Sequence, residues 1–157
     1  LDPIGTIMIL FVGFGWAKPV PVNQLNFKNP RKDMVIVAAA GPISNLILAF
    51  IGGLIFRILN LLSIYNSQII FTVLYFFIII NISLAIFNLI PIVPLDGSRI
   101  FENILIKKYP HIVRVLNIYG PNILLGLILF GIITGFSIIW IIMKPFISIL
   151  LFVFAGI

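Results

Sequence analysis

IIFTVLYFFIIINISLAIFNLIPIVPLDGSR, residues 69–99, decides the fold. From Ile69 to Ile90 it carries no charge, and a helix of about 20 such residues crosses the hydrocarbon of a bilayer. Pro91 and Pro94 then follow. Neither has a backbone donor, so a helix arriving from the membrane is interrupted there. Non-helical backbone at that depth survives only where protein or a watered cavity surrounds it. Two residues after the second proline stands Asp96. An ionisable group at the edge of hydrocarbon is costly and is a functional-site candidate by default. The chain therefore reads as unwinding to place one carboxylate in a protein-lined pocket.

Two further stretches have spanning length on either side, Met34 to Phe56 and Ile123 to Met143. Ile4 to Trp16 is apolar but ends in a glycine and proline cluster, and residues 145–157 form a short apolar tail of undecided placement. The expected architecture is an all-α integral membrane protein. It is a multi-span helical bundle with a re-entrant or irregular N-terminal segment, and residues 1–157 form a single membrane domain. Within it lie a short apolar segment and loop (4–33), three spans (34–56, 69–90, 123–143) and a polar cytoplasmic segment (98–117).

Composition agrees with this reading. The chain is 62% hydrophobic and 9% charged, with a mean hydropathy of +1.27, far from the balance of a water-soluble domain. The net charge of +6 is not gathered into a stripe that would follow a nucleic acid, so no nucleic-acid partner is expected. Basic residues instead punctuate the ends of apolar runs, which points to membrane lipids as partners. Lys18, Lys28, Arg31 and Lys32 precede the first span, and Arg99, Lys107, Lys108 and Arg114 separate the second from the third. The positive-inside rule makes both of those loops cytoplasmic. Zero cysteines exclude disulfides and thiolate chemistry.

The polar residues inside this framework are few. Asp96-Gly97 reads equally as a turn whose aspartate caps a helix over 98–106 or as a ligand for a metal ion or proton. No Glu or Gln stands where a capping box needs one. Gly41-Pro42-Ile43-Ser44-Asn45 lies within a span. Its small residues suit helix packing, while Pro42 loosens the backbone and Asn45 offers an amide to a substrate or catalytic group. Asn81 and Asn88 read as amides bridging helices. Residues 13–23 are incompatible with a helix and read as an interfacial loop or an edge that pairs with an extended peptide. His111, the single histidine, has no neighbouring ligand in sequence. Catalytic zinc needs about three protein ligands, more than His111 and Asp96 supply.

Three stretches in order resemble the site-2 protease family, the intramembrane zinc metalloproteases, and within it the short prokaryotic branch without an inserted PDZ domain. GFGWAKPVPVN (13–23) is similar to the loop after that family's zinc helix. AAGPISN (39–45) is similar to its Gly-Pro-x-x-Asn span, and NLIPIVPLDG (88–97) to its Leu-Asp-Gly zinc segment. Three motifs in the right order are far more specific than one.

The resemblance implies a zinc-dependent hydrolase of the cell membrane, multi-pass and prokaryotic, that cleaves transmembrane protein substrates. Two histidines and an aspartate hold one zinc ion, and a glutamate between the histidines acts as general base. Asp96 matches the aspartate ligand. Asn45 matches a position that supports the substrate or reaction intermediate. The loop at 13–23 would present an unwound substrate as an extended strand. No His-Glu-x-x-His helix occurs in these 157 residues. In the family's short branch that helix precedes the loop, so the expectation is a chain truncated ahead of Leu1. The alternatives are a catalytically inactive membrane homologue or scaffold, and a transporter that uses Asp96 as an ion or proton site.

Overall fold

A computed structural model describes residues 27–62, 68–106 and 108–157. The segment 13–23, and with it the expected re-entrant or irregular N-terminal portion, lies outside the described residues. Among those described there is no strand. Five helices follow one another: α1 (Pro30–Leu61), α2 (Gln68–Asn88), α3 (Asp96–Leu105), α4 (Pro110–Thr134) and α5 (Ile138–Ala155). Isoleucine is only a middling helix former. Hydrocarbon nevertheless offers no partner to a backbone N–H or C=O, so an isoleucine-rich run of this length closes its hydrogen bonds internally. All but α3 are long and apolar enough to cross a membrane, α1 through its stretch Lys32–Leu61. Large apolar side chains point outward along them, Leu61 at 84% exposure and Ile133 at 81%. Apolar surface on this scale is a membrane-facing surface. The protein is an all-α membrane bundle.

Two of the expected elements are redrawn. The apolar run 123–143 is not one span, because α4 ends at Thr134 and α5 starts at Ile138. Gly135 takes a left-handed φ of 70° and terminates α4, a conformation in which the missing Cβ removes the steric cost. Ser137 then caps α5 by accepting the amide of Trp140 at 3.2 Å. Hydropathy does not register this break, since Phe136 and the flanking isoleucines keep the window apolar. The polar segment 98–117 is likewise divided. Its first part belongs to α3, and from Pro110 onward it forms the opening turns of α4. Proline at the first helical position suits that start, where its missing N–H has no partner to lose.

The core joins α1, α2 and α5. Ala49, Ile78, Ile82, Met143, Ile147, Leu151 and Ala155 form one buried cluster. Small residues let the backbones approach, as membrane helices require. A Cβ on Gly52 would stand 2.8 Å from the Phe77 ring of α2, and one on Gly53 2.7 Å from the Phe154 backbone of α5. Arg57 donates through Nη2 to the carbonyls of Phe152 (3.0 Å) and Val153 (2.7 Å), placing a cation on the carbonyls of the last turn of α5, of which that of Phe152 also accepts the Gly156 amide. The C-terminal ends of α1 and α5 therefore meet. Phe56 of α1 packs edge-on against Phe71 at the start of α2, with ring centroids 5.3 Å apart. So α5 runs parallel to α1, and α2 runs antiparallel to both.

Candidate metal-binding site

After α2 ends at Asn88 the chain turns through residues 89–95. Hydrogen bonds from the Ile92 amide to the Ile90 carbonyl (2.8 Å) and from the Leu95 amide to the Ile92 carbonyl (2.9 Å) hold the turn. The two prolines leave these short-range bonds as the backbone's own way of being satisfied. Leu95, extended at φ −72° and ψ 152°, is the N-cap of α3, and no side chain caps it. Asp96 stands one position inside the helix. The capping alternative thus falls away, and Ser98 instead folds its hydroxyl back onto the Leu95 carbonyl at 2.7 Å.

Three glycines from three elements surround this turn. Gly97 is buried, and a Cβ there would overlap the Leu89 carbonyl and stand 2.6 Å from the Ile90 oxygen. Only a residue without a side chain closes the turn so tightly. On α4, a Cβ on Gly120 would stand 3.1 Å from both the amide nitrogen and the Cβ of Val93. On α1, a Cβ on Gly41 would stand 3.2 Å from Oδ2 of Asp96. The Gly-Pro-x-x-Asn stretch and the Leu-Asp-Gly stretch, 55 residues apart between Gly41 and Asp96 in the chain, are therefore neighbours in space.

Asp96 is half-buried. Loss of hydration raises its pKa above the ordinary carboxylate range, and the nearby Arg99 guanidinium works in the opposite direction. Arg99 itself reaches the thioether of Met34 on α1, Nη1 to Sδ 3.8 Å. No hydrogen bond from a described residue engages the Asp96 carboxylate, so its oxygens are available to an added partner. A partly desolvated carboxylate with free lone pairs is a suitable hard ligand for a divalent cation.

Asn45 lies one helical turn beyond Gly41 on the same face of α1, since residues four apart in a helix are neighbours. It is half-buried, and among the described residues no hydrogen bond ties it to Asp96 or to anything else. The structure thus brings the Asn45 face toward Asp96 without joining the two side chains. Asn81, expected to bridge helices, is buried but donates to the Phe77 carbonyl of its own helix at 2.8 Å. His111 is exposed in the first turn of α4. Among the described residues no group of three His, Cys, Asp or Glu side chains converges on one point, so Asp96 is a single ligand of any site built here.

The residues that sequence reading passed over are Gly41, as the wall beside the carboxylate, and Gly120, as the seat of Val93. One signal did exist. Both are the glycine of a Gly-Pro pair within an apolar run.

Comparison with known proteins gives the family. Residues 53–129 match the model of peptidase family M50. The chain belongs to that family. It is the site-2 protease family that the three motifs resemble, and the matched stretch contains Asp96 and Gly120, while Gly41 and Asn45 precede it. A protein of Bacillus subtilis (strain 168) that bears the name "Putative zinc metalloprotease YwhC" is 47% identical over 114 residues, which cover 66% of this chain and 49% of that protein. The zinc metalloprotease MJ0392 of Methanocaldococcus jannaschii is 31% identical over 109 residues, 68% of this chain and 31% of that protein. This M50 chain therefore spans about half the length of the first relative and about a third of the second. No solved structure matches it.

Proposed function

We propose that these residues are the part of an intramembrane zinc metalloprotease that supplies the aspartate ligand and one wall of the catalytic cleft. The observation that carries the reading is the Asp96 carboxylate. It is released from capping, free of hydrogen bonds from described residues, and set against Gly41 of the second motif. A lone carboxylate fits one corner of a zinc site and not the whole of it. Two histidines and a glutamate base from outside these 157 residues complete the set, because the chain contains one histidine and that one is exposed.

A zinc ion held there would supply Lewis-acid polarisation of a scissile carbonyl and a more acidic bound water. The work of this chain's own residues is positional. Asp96 holds one coordination direction from the rigid first turn of α3. Asn45, unengaged in the described structure, offers its amide to the substrate backbone or to the charge that develops on the carbonyl oxygen. Exposed apolar faces of the long helices keep the site within the lipid, where the substrate is a transmembrane protein segment. The relatives' zinc metalloprotease names support this reading, as do the four helices able to cross a membrane. We place the protein in the cell membrane as a multi-pass protein, with the described helices belonging to one membrane domain.

Asp96→Ala in the full-length protein tests the assignment. Cleavage of a membrane substrate should fall to background while membrane insertion and helix content stay unchanged. Cleavage at the wild-type rate by the variant would overturn it.

A further inference from the structure

Among the described residues, neither backbone conformation nor packing against another helix accounts for glycine at position 41. Its φ is not left-handed; among the described residues positive values occur only at Gly135 and Gly156. It lies in the interior of α1, where glycine destabilises a helix relative to alanine. Packing does not require it either. A Cβ at Gly52, Gly53 or Gly120 would meet several atoms of a neighbouring helix or loop, those of Phe77 and Ile78, of Phe154 and of Val93 in turn, whereas a Cβ at Gly41 would meet a single described atom within 4 Å. That atom is Oδ2 of Asp96, at 3.2 Å.

We propose that Gly41 is a positioning residue for Asp96, and that the space left by its missing side chain is the space in which the ligand carboxylate stands. The proposal rests on the reading of Asp96 as a zinc ligand. A methyl group at position 41 would force the carboxylate to give by a few tenths of an ångström. It would also lay hydrocarbon against the oxygen that faces α1. Zinc–carboxylate bonds fall near 2.0–2.2 Å, with a tolerance of about 0.2 Å for a competent site, so a displacement of that size takes the ligand out of range. Larger side chains displace it further. The two motifs are thus coupled by exclusion: α1 contributes to the metal site by what it leaves out.

One rival cause stands beside this. Gly41 precedes Pro42, and a residue before proline is pushed away from helical geometry by the ring, least so when it has no Cβ. The experiment separates the two. Zinc affinity of the full-length protein is measured by chelator competition for Gly41→Ala, Gly41→Val, Asp96→Ala, Pro42→Ala and the double variant Gly41→Ala with Pro42→Ala, and thermal unfolding of the metal-free form is followed alongside. The expected result is a loss of zinc affinity of about tenfold or more for Gly41→Ala and a larger loss for Gly41→Val. Metal-free unfolding should stay at the wild-type temperature for Gly41→Ala, and the affinity loss should persist in the double variant relative to Pro42→Ala alone. Wild-type affinity in Gly41→Ala, or a loss that vanishes once Pro42 is replaced, overturns the proposal. Asp96→Ala serves as the separate check. If it keeps zinc, the ligand assignment itself has failed; if it loses zinc while Gly41→Ala does not, only the role of Gly41 has.

Discussion

Asp96 shows how one position in a helix decides what a carboxylate can do. One residue earlier it would be the N-cap, its oxygens spent on amides of the first turn. As the first residue of α3 it leaves the capping position to Leu95, whose apolar side chain has no acceptor to offer, and keeps its own oxygens for another partner. The same economy of hydrogen bonds marks Asn45, which differs in this from Asn81, whose amide is already bonded to Phe77. Asn45→Ala should leave zinc bound and reduce kcat about a hundredfold, the scale seen when a donor to a developing oxyanion is removed. Metal content by mass spectrometry and single-turnover cleavage check both halves. Loss of zinc from the variant would place Asn45 in the support of the metal instead.

At the scale of elements, the turn 89–95 is held by what its neighbours lack. Gly97 lets α3 fold back over the Leu89 and Ile90 carbonyls, and Gly120 lets α4 lie on Val93. Gly120→Val should overpack this contact, because the nearest atoms are the backbone and Cβ of Val93, which cannot rotate aside. An overpacked site typically costs about 1–3 kcal/mol. The expected outcome is a lower unfolding temperature together with weakened zinc affinity, since the displaced turn carries Asp96. A variant that unfolds earlier with wild-type zinc affinity would show that Val93 and Asp96 move independently.

Across the whole molecule, α1 and α5 are clasped at their C-terminal ends. Gly53 admits the Phe154 backbone, and Arg57 bonds the Phe152 and Val153 carbonyls. Charge-assisted hydrogen bonds are stronger than neutral ones. With Arg57 exposed, Arg57→Met should destabilise the bundle by about 1–2 kcal/mol. Sixteen residues separate Arg57 from Gly41 along α1, about 24 Å of helix, so zinc affinity should be unchanged. Reversible unfolding in detergent and chelator competition measure the two effects separately.

What the amino-acid sequence determined by itself is the class of molecule, and it singled out Asp96 as the candidate site residue. Runs of uncharged residues this long have a single solution in hydrocarbon, and a carboxylate following two prolines has few uses there. The break at Gly135–Ser137 was not legible from hydropathy, because it depends on backbone conformation and a single capping hydroxyl. Nor was the parallel course of α1 and α5, which is set by Arg57 and two carbonyls about a hundred residues away. The nearness of Gly41 to Asp96 was likewise decided only in three dimensions. A glycine states nothing about what will occupy the space beside it, and the packing of one helix against another turns that blank into a site.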